Sequence, residues 1–282
     1  MEVFIECVSI YIKGKWMDSA VSKYALANGA KLHYREYSTY GQPLLFIHGI
    51  TSSHNSWGLI PNEFIQDHNV ISLDLRGHGL SEKPDQGYSW REDYAEDISD
   101  FISTSLKQPA VLVGHSLGAS VSAAVAEKTP DLVEALILED PPVFAHDDFE
   151  AIQLRFSETI ETKRLKSLDR VNYFMETMEI SRENAEIQSK NLEMMSENVI
   201  LELLKGGTTY DSRSVFPKIS CPVLIVLGAP ALGGVVELSS RDLLASLLPK
   251  SKILEWTEVG HGIHSDKPKK FLSEIRSFLA SI

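Results

Sequence analysis

Residues 114–118 read Gly-His-Ser-Leu-Gly, directly behind the apolar run at 110–113. A serine on a tight turn between a strand and a helix has a defined chemical use. Its hydroxyl projects above the strand end, and the N-terminus of the helix favours negative charge beside it. Gly114 and Gly118 lack the bulk that such a turn excludes, and residues 119–128 read as the helix. A hydroxyl becomes a nucleophile when a base takes its proton and a third group orients that base. His261, in Glu258-Val259-Gly260-His261-Gly262, is the expected base, since a loop histidine between glycines can reach into a crevice. His264 is the substitute, but its place nearer the following helix reads as solvent-facing. Attack on a carbonyl also requires two fixed N–H donors for the oxyanion. Leu117, the residue after the serine, is expected to supply one. Ile50 is expected to supply the other, from His48-Gly49-Ile50 at the end of the apolar run 44–47. The His48 ring is expected to hydrogen-bond loop backbone.

The elements that must position these groups follow from the hydrophobic pattern. Continuous apolar runs at 44–47, 70–73, 110–113, 135–138, 223–227 and 252–256 read as strands covered on both faces. Residues 21–27 and 31–37 flank Asn28-Gly29 as a hairpin. Helical patterns at 57–66, 91–106, 117–128, 237–248 and 267–281 fall between them. This alternation predicts an α/β protein with a doubly wound, mostly parallel sheet. From 143 to 212 the rhythm breaks into charged helical stretches at 147–168, 169–178 and 182–205. A helical insertion between two strands of one sheet is expected to sit as a cap over the strand C-termini, where such sheets bind ligands. The expected organisation is a core of 20–142 and 213–282, a helical cap of 143–212, and an extension of 1–19. Glu2 and Glu6 interrupt a signal-peptide reading of that extension, and Met17 is an alternative start.

The chain has 282 residues, 43% hydrophobic and 23% charged, which suits a soluble globular protein. Its 27 basic against 39 acidic side chains leave a net charge of −12, which argues against nucleic acid or an anionic membrane as partner. Cys7 and Cys221 form no metal or redox spacing, so a reducing cytoplasm is expected. No zinc spacing, phosphate loop or dinucleotide fingerprint is present, so no metal or cofactor is expected.

Taken together, four motifs resemble the α/β-hydrolase superfamily, in its capped branch with an HG oxyanion loop, over about residues 21–281. They are His48-Gly49 with Trp57 behind, Asp74-Leu75-Arg76-Gly77-His78-Gly79-Leu80-Ser81, Gly114-His115-Ser116-Leu117-Gly118 and Gly260-His261-Gly262. The resemblance makes Asp74 and Arg76 structural, and it orders the triad as serine, acid, histidine. In most relatives the acid follows the penultimate strand, typically three residues after a glycine. Here that position is Ala231, and residues 228–234 contain no carboxylate. Some relatives, including haloalkane dehalogenases, take the acid from the end of the preceding strand instead. Asp140 stands there, 24 residues after Ser116 and ahead of Pro141-Pro142, and is the implied triad acid. Glu139 and Glu237 are the alternatives, as is a weakened triad in which Ala229 or Ala231 replaces an aspartate.

The resemblance implies hydrolysis of a small-molecule ester or lactone of small to medium acyl chain, an N-acyl homoserine lactone being one candidate. Trp57, His48 and Phe144 are the expected substrate contacts, and Phe156 and Phe174 belong to an apolar set in the cap that could line an acyl pocket. A C–C bond hydrolase or hydroxynitrile lyase would use the same triad. A hydrolase-fold binding protein that senses a small ligand is the alternative from another class, supported by the missing acid after the penultimate strand.

Overall fold

The computed structural model describes residues 20–142, 149–205 and 211–282. The expected extension at 1–19 and the expected substrate contact Phe144 lie outside the described residues. Eight strands form one sheet: β1 (Val21–Ala27), β2 (Ala30–Glu36), β3 (Gln42–Ile47), β4 (His68–Leu73), β5 (Ala110–His115), β6 (Val133–Glu139), β7 (Val223–Leu227) and β8 (Lys252–Glu255). Their spatial order is β1-β2-β4-β3-β5-β6-β7-β8. β1 pairs with β2 and β2 with β4 antiparallel, and every later pairing is parallel.

The continuous apolar runs have the cause inferred from them. Side chains alternate between the faces of a strand, and both faces here are covered. Leu45 and Ile47 of β3 enter one core, while Leu44 and Phe46 enter the other. The first core is shared with helices α1 (Ala95–Phe101) and α2 (Leu117–Lys128). Register aligns Ile47 with Gly114, His115 with Glu139, and Glu139 with Val226, so the C-terminal ends of β3, β5, β6 and β7 form one row.

Between β6 and β7 run α3 (Phe149–Arg164), α4 (Ser167–Met178), α5 (Arg182–Met194) and α6 (Glu197–Lys205). They rest on the loops after β3 and β4. Ser53 Oγ donates to Asn191 Oδ1 at 2.7 Å, Ser196 N–H donates to the Gly77 carbonyl at 2.7 Å, and Glu202 accepts from the Gly87 and Tyr88 amides. Leu192, Met195, Val199 and Ile200 share an apolar cluster with Leu75, Tyr88 and Leu117. The stretch expected as one helix over 182–205 is two, because Met195 is extended (φ −80°, ψ 144°) and Ser196 restarts the backbone with its hydroxyl on the Asn198 amide.

The helix expected at 57–66 is also absent. Two short 3₁₀ turns, His54–Trp57 and Pro61–Phe64, take its place. Gly58, at φ 55° and ψ −124°, ends the first turn, and Pro61, which cannot donate an i→i−4 bond, opens the second. The chain closes with α7 (Leu238–Leu247), the short α8 (Ile263–Asp266) and α9 (Pro268–Leu279), whose Phe271, Ile275 and Phe278 pack under the sheet at helical spacing.

Candidate active site

Ser116 joins β5 to α2 with φ 53° and ψ −116°. Backbone of that kind costs of order 1–3 kcal/mol in a non-glycine residue, and it persists only where the surroundings enforce it. The Ser116 amide donates to the Glu139 carbonyl at 3.0 Å, and its own carbonyl starts α2 by accepting from Ala119 and Ser120. Gly118 explains the glycines of the motif. A Cβ there would lie 2.1 Å from the Ile47 carbonyl oxygen and 2.7 Å from that of His48. The turn is thus pressed against the loop that begins at His48, and a Cβ built on Gly49 would stand 3.1 Å from the Ser116 Cβ. Leu117 is buried and Ile50 half-buried, with Ile50 packed against the same apolar cluster as Leu117.

Asp140 follows the last residue of β6 and is fully buried, with φ 41°. Its amide donates to the Val226 carbonyl at 2.8 Å, which locks it to β7. Its Oδ2 accepts from His261 Nδ1 at 2.7 Å and from the Val235 amide at 2.9 Å, while Oδ1 accepts from the Gly228 amide at 3.1 Å. The loop after β7, which carries no carboxylate of its own, therefore serves the site by donating backbone N–H groups to Asp140. His261 retains partial exposure (24% of its side chain). His115 holds it from below: Nε2 donates to the His261 carbonyl at 3.0 Å, and the two rings lie 4.6 Å apart. The close approach of Gly260 to the 228–234 loop seats this segment, since a Cβ on Gly260 would lie 1.9 Å from the Leu232 carbonyl oxygen.

Several side chains occupy places other than those expected. His264 is buried, not solvent-facing. Its Nδ1 meets the Glu139 carboxylate at 2.8 Å, and its amide donates to Glu139 Oε1 at 2.8 Å. Trp57, expected against substrate, is 1% exposed and lies edge-on to Phe46 and 4.6 Å from the His264 ring, so it packs the core beneath the loops. His48, also expected against substrate, is fully buried, and its ring meets loop backbone as expected of it. Its Nδ1 donates to the Gly49 carbonyl at 2.7 Å and its Nε2 accepts from the Leu75 amide at 3.0 Å. Both ring nitrogens are thereby used on backbone in the neutral form, and burial lowers the His48 pKa in the same direction.

Asp74 is wrapped by donors: His33 Nδ1 at 2.8 Å, His54 Nδ1 at 2.9 Å, the His54 amide at 2.7 Å and the Leu80 amide at 3.0 Å. Burial would raise its pKa, but the two histidine hydrogen bonds outweigh that and hold the carboxyl well below the ordinary range. His33, His54 and Asp74 are the one set of three among the described residues close enough to share a metal ion. These side-chain atoms stand 2.8 and 2.9 Å apart, as in N–H···O bonds and closer than the roughly 3.3 Å between two ligand atoms on one tetrahedral zinc. A cation would have to displace donors that already satisfy Asp74, so the cluster fits a structural carboxylate. Arg76 likewise takes Asp97 in a two-point ion pair, with Nε 2.5 Å from Oδ2, and donates to the Gly87 carbonyl.

The sequence reading lacked the Glu139–His264 pair and the part played by His115. The available signal was the repetition of acid and histidine: two adjacent carboxylates at one strand tip and two histidines in one loop.

Comparison with known proteins bears on this geometry. The family described as the alpha/beta hydrolase fold matches residues 42–172. The chain is 39% identical over 142 residues to 2-(acetamidomethylene)succinate hydrolase of Mesorhizobium japonicum, a match spanning 50% of this chain and 45% of that protein. It is 26% identical over 274 residues to the esterase YbfF of Escherichia coli, covering 88% of this chain and 99% of the relative. The crystal structure of E-2-(acetamidomethylene)succinate hydrolase superposes with a TM-score of 0.81 at 26% identity, over 93% of this chain and 99% of that one.

Proposed function

We propose that this chain, which belongs to the α/β-hydrolase superfamily, is a serine hydrolase that cleaves carboxylic esters or lactones of small to medium acyl chain through a Ser116–His261–Asp140 triad. The observation that carries the reading is the 2.7 Å bond from His261 Nδ1 to a buried carboxylate at the tip of β6, the strand beside the one that ends in the strained Ser116. With Nδ1–H committed to Asp140, Nε2 is the free base. His261 Nε2 takes the proton as Ser116 Oγ attacks the carbonyl carbon, and Asp140 stabilises the imidazolium that forms. The Ile50 and Leu117 amides hold the oxyanion, aided by the N-terminus of α2. His261 then gives its proton to the leaving alkoxide, and a water deprotonated by the same ring releases the acid from the acyl-enzyme.

Helices α3 to α6 serve as the lid over this centre, and the cluster that joins Leu117 and Ile50 with Phe156 and Phe174 supports an apolar acyl pocket. The likeness to 2-(acetamidomethylene)succinate hydrolase adds amide cleavage as a second reading, since the same acyl-enzyme serves an amide.

The test is a panel of p-nitrophenyl esters and lactones of graded chain length, with acyl anilides beside them, together with a fluorophosphonate probe. Stoichiometric labelling of wild type and none of Ser116→Ala is expected, with the highest kcat/KM on an ester or lactone. Wild type that neither labels nor turns over any member would refute the hydrolase and favour a ligand sensor. An anilide as the best substrate would move the assignment to an amidase.

A further inference from the structure

Two buried carboxylates stand in succession at the tip of β6, Glu139 as its last residue and Asp140 just beyond it at φ 41°. The positive φ turns Asp140 out of the strand, and the two serve different histidines, His261 in the loop after β8 and His264 in the short α8 that follows. Asp140 takes His261. Glu139 takes His264, accepting its Nδ1 at 2.8 and 2.9 Å and its amide at 2.8 Å. No step of the triad scheme uses this second pair. Moving a carboxylate out of water is costly unless its partners compensate, so an unused buried ion pair beside a catalytic centre calls for a physical role.

Hydrogen-bond partners define the protonation state of His264. Its Nε2 lies 3.1 Å from the Ser56 carbonyl oxygen, which can only accept, so Nε2 carries a hydrogen. Its Nδ1 faces a carboxylate that also accepts the His264 amide, so Nδ1 carries one too. The ring is an imidazolium. Burial alone would lower its pKa, but the Glu139 charge and hydrogen bond outweigh burial and raise it. Glu139 is held below its ordinary value in spite of burial, by His264 first and His115 second. The titratable groups facing His264 are Glu139 from β6, His115 from β5 and Asp266 from its own helix α8. Burial pushes His115 down to about 3, so it is neutral and its Nε2–H stays on the His261 carbonyl.

We infer that the Glu139–His264 ion pair is a positioning device for the catalytic histidine, a second pin that hangs the 260–264 loop from the tip of β6 beside Asp140. The inference rests on the serine-hydrolase reading above. The main chain and side chain of Glu139 together gather three parts of the site. Its carbonyl takes the Ser116 amide, its carboxylate takes His264, and His264 passes the link to Ser56 in the segment that follows the oxyanion loop. His115 closes the circuit from the nucleophile turn to His261. Asp140 fixes the ring of His261 at Nδ1, and Glu139 fixes the start of α8 three residues on, so the two anchors together set the height and tilt of the segment between them.

The experiment compares Glu139→Gln, His264→Gln and the double variant with wild type. It reads the second-order rate of fluorophosphonate labelling of Ser116 from about pH 6 to 10, with thermal melts alongside. Misplacing a reacting group by about 1 Å costs on the order of 100-fold, so each single variant is expected to label about 10- to 100-fold more slowly at temperatures well below its melt. The double variant is expected to be no slower than the worse single, because contacting residues that act as a unit are non-additive. Wild type is expected to lose rate at alkaline pH as His264 gives up its proton, and His264→Gln to lack that limb. Should Glu139→Gln fail to fold, His264→Gln and its pH profile decide alone. Wild-type labelling rates in the variants, or lowered melting with an unchanged rate and pH profile, would make the pair a structural contact and overturn the inference. Wild type that does not label at all would overturn the hydrolase reading, and the inference with it.

Discussion

Asp140→Asn is the most discriminating single change, because the structure determines what the new amide can and cannot satisfy. The substitution keeps size and shape, and asparagine tolerates the positive φ of 41° at this position. The native carboxylate accepts three N–H groups: His261 Nδ1 and the Val235 amide on Oδ2, and the Gly228 amide on Oδ1. Asparagine offers one acceptor and one donor. With its oxygen in the Oδ2 place, His261 and Val235 are served but the new NH₂ confronts the Gly228 N–H. With its oxygen in the Oδ1 place, the NH₂ confronts Val235 and donates to His261 Nδ1. The second arrangement forces the imidazole into the tautomer with hydrogen on Nε2, which cannot take the Ser116 proton. Each arrangement leaves a backbone N–H and at least one hydrogen of the new NH₂ unsatisfied, so stability is expected to fall by about 1–3 kcal/mol or more either way. The flipped form leaves fewer donors unpaired, so kcat is expected to drop by roughly 10²–10⁴, the upper figure being that of full tautomer reversal. KM is expected to change little, since Asp140 does not touch substrate. The assay is steady-state hydrolysis of a p-nitrophenyl ester, run beside a urea melt. A kcat within about threefold of wild type in a protein whose melt has moved would show that Asp140 supports the fold without orienting His261.

Three further outcomes follow from the geometry. Ser116→Gly abolishes turnover while raising stability by about 1 kcal/mol, because glycine relieves the strained backbone at φ 53°; a lowered melting temperature would refute strain at the turn. Gly118→Ala places a Cβ 2.1 Å from the Ile47 carbonyl oxygen and is expected to cost about 1–3 kcal/mol or more, whereas Gly262→Ala, whose nearest neighbour is Ser265 Cβ at 4.0 Å, melts like wild type; equal melts would refute the close approach. His78 and His115 are both pushed down to about 3 by burial. Below their unfolded value near 6.5 the unfolded chain binds protons that the folded chain refuses, so stability falls by about 1.4 kcal/mol per pH unit for each as pH drops toward 3. His264, with its pKa raised, has the opposite sign: its contribution is complete below about 6.5 and is lost as pH rises through its folded value. Urea midpoints at about pH 7.5 and 5.5 check this, with His78→Asn expected to flatten the acid slope; a slope that His78→Asn leaves unchanged would remove His78 as its cause.

What the sequence made legible is what local chemistry and period control. The sheet follows from runs such as Val223–Leu227, which is a strand over the expected residues because both its faces are covered. The turn at Ser116 follows from its two glycines, Gly118 confined by the end of β3 and its loop and Gly114 by the backbone of Gly118 and Ala119. Misreadings occur where a side chain's role depends on a partner distant in the chain. Trp57 lies in a turn near the site, and only packing against Phe46 and His264 shows that it faces the core. His264 reads as surface because its helix start is polar, yet Glu139, 125 residues earlier, draws it inside. The break ahead of Pro61 is legible, since proline inside a helical pattern is a stop signal, whereas the pattern of apolar residues hides the one at Met195.

The base of the proposed triad enters from the margin of the sheet, although its side-chain bond ties it back to the tip of β6. His261 follows β8, an edge strand of half-exposed residues with one hydrogen-bonded neighbour, while Ser116 and Asp140 follow strands buried in the middle. Opening of a protein begins where backbone bonds face solvent and few apolar groups are buried. On warming, the β8 margin is thus set to fray while the central strands stay closed. Catalysis would then switch off before the fold melts, and would return on cooling without the whole chain having to refold.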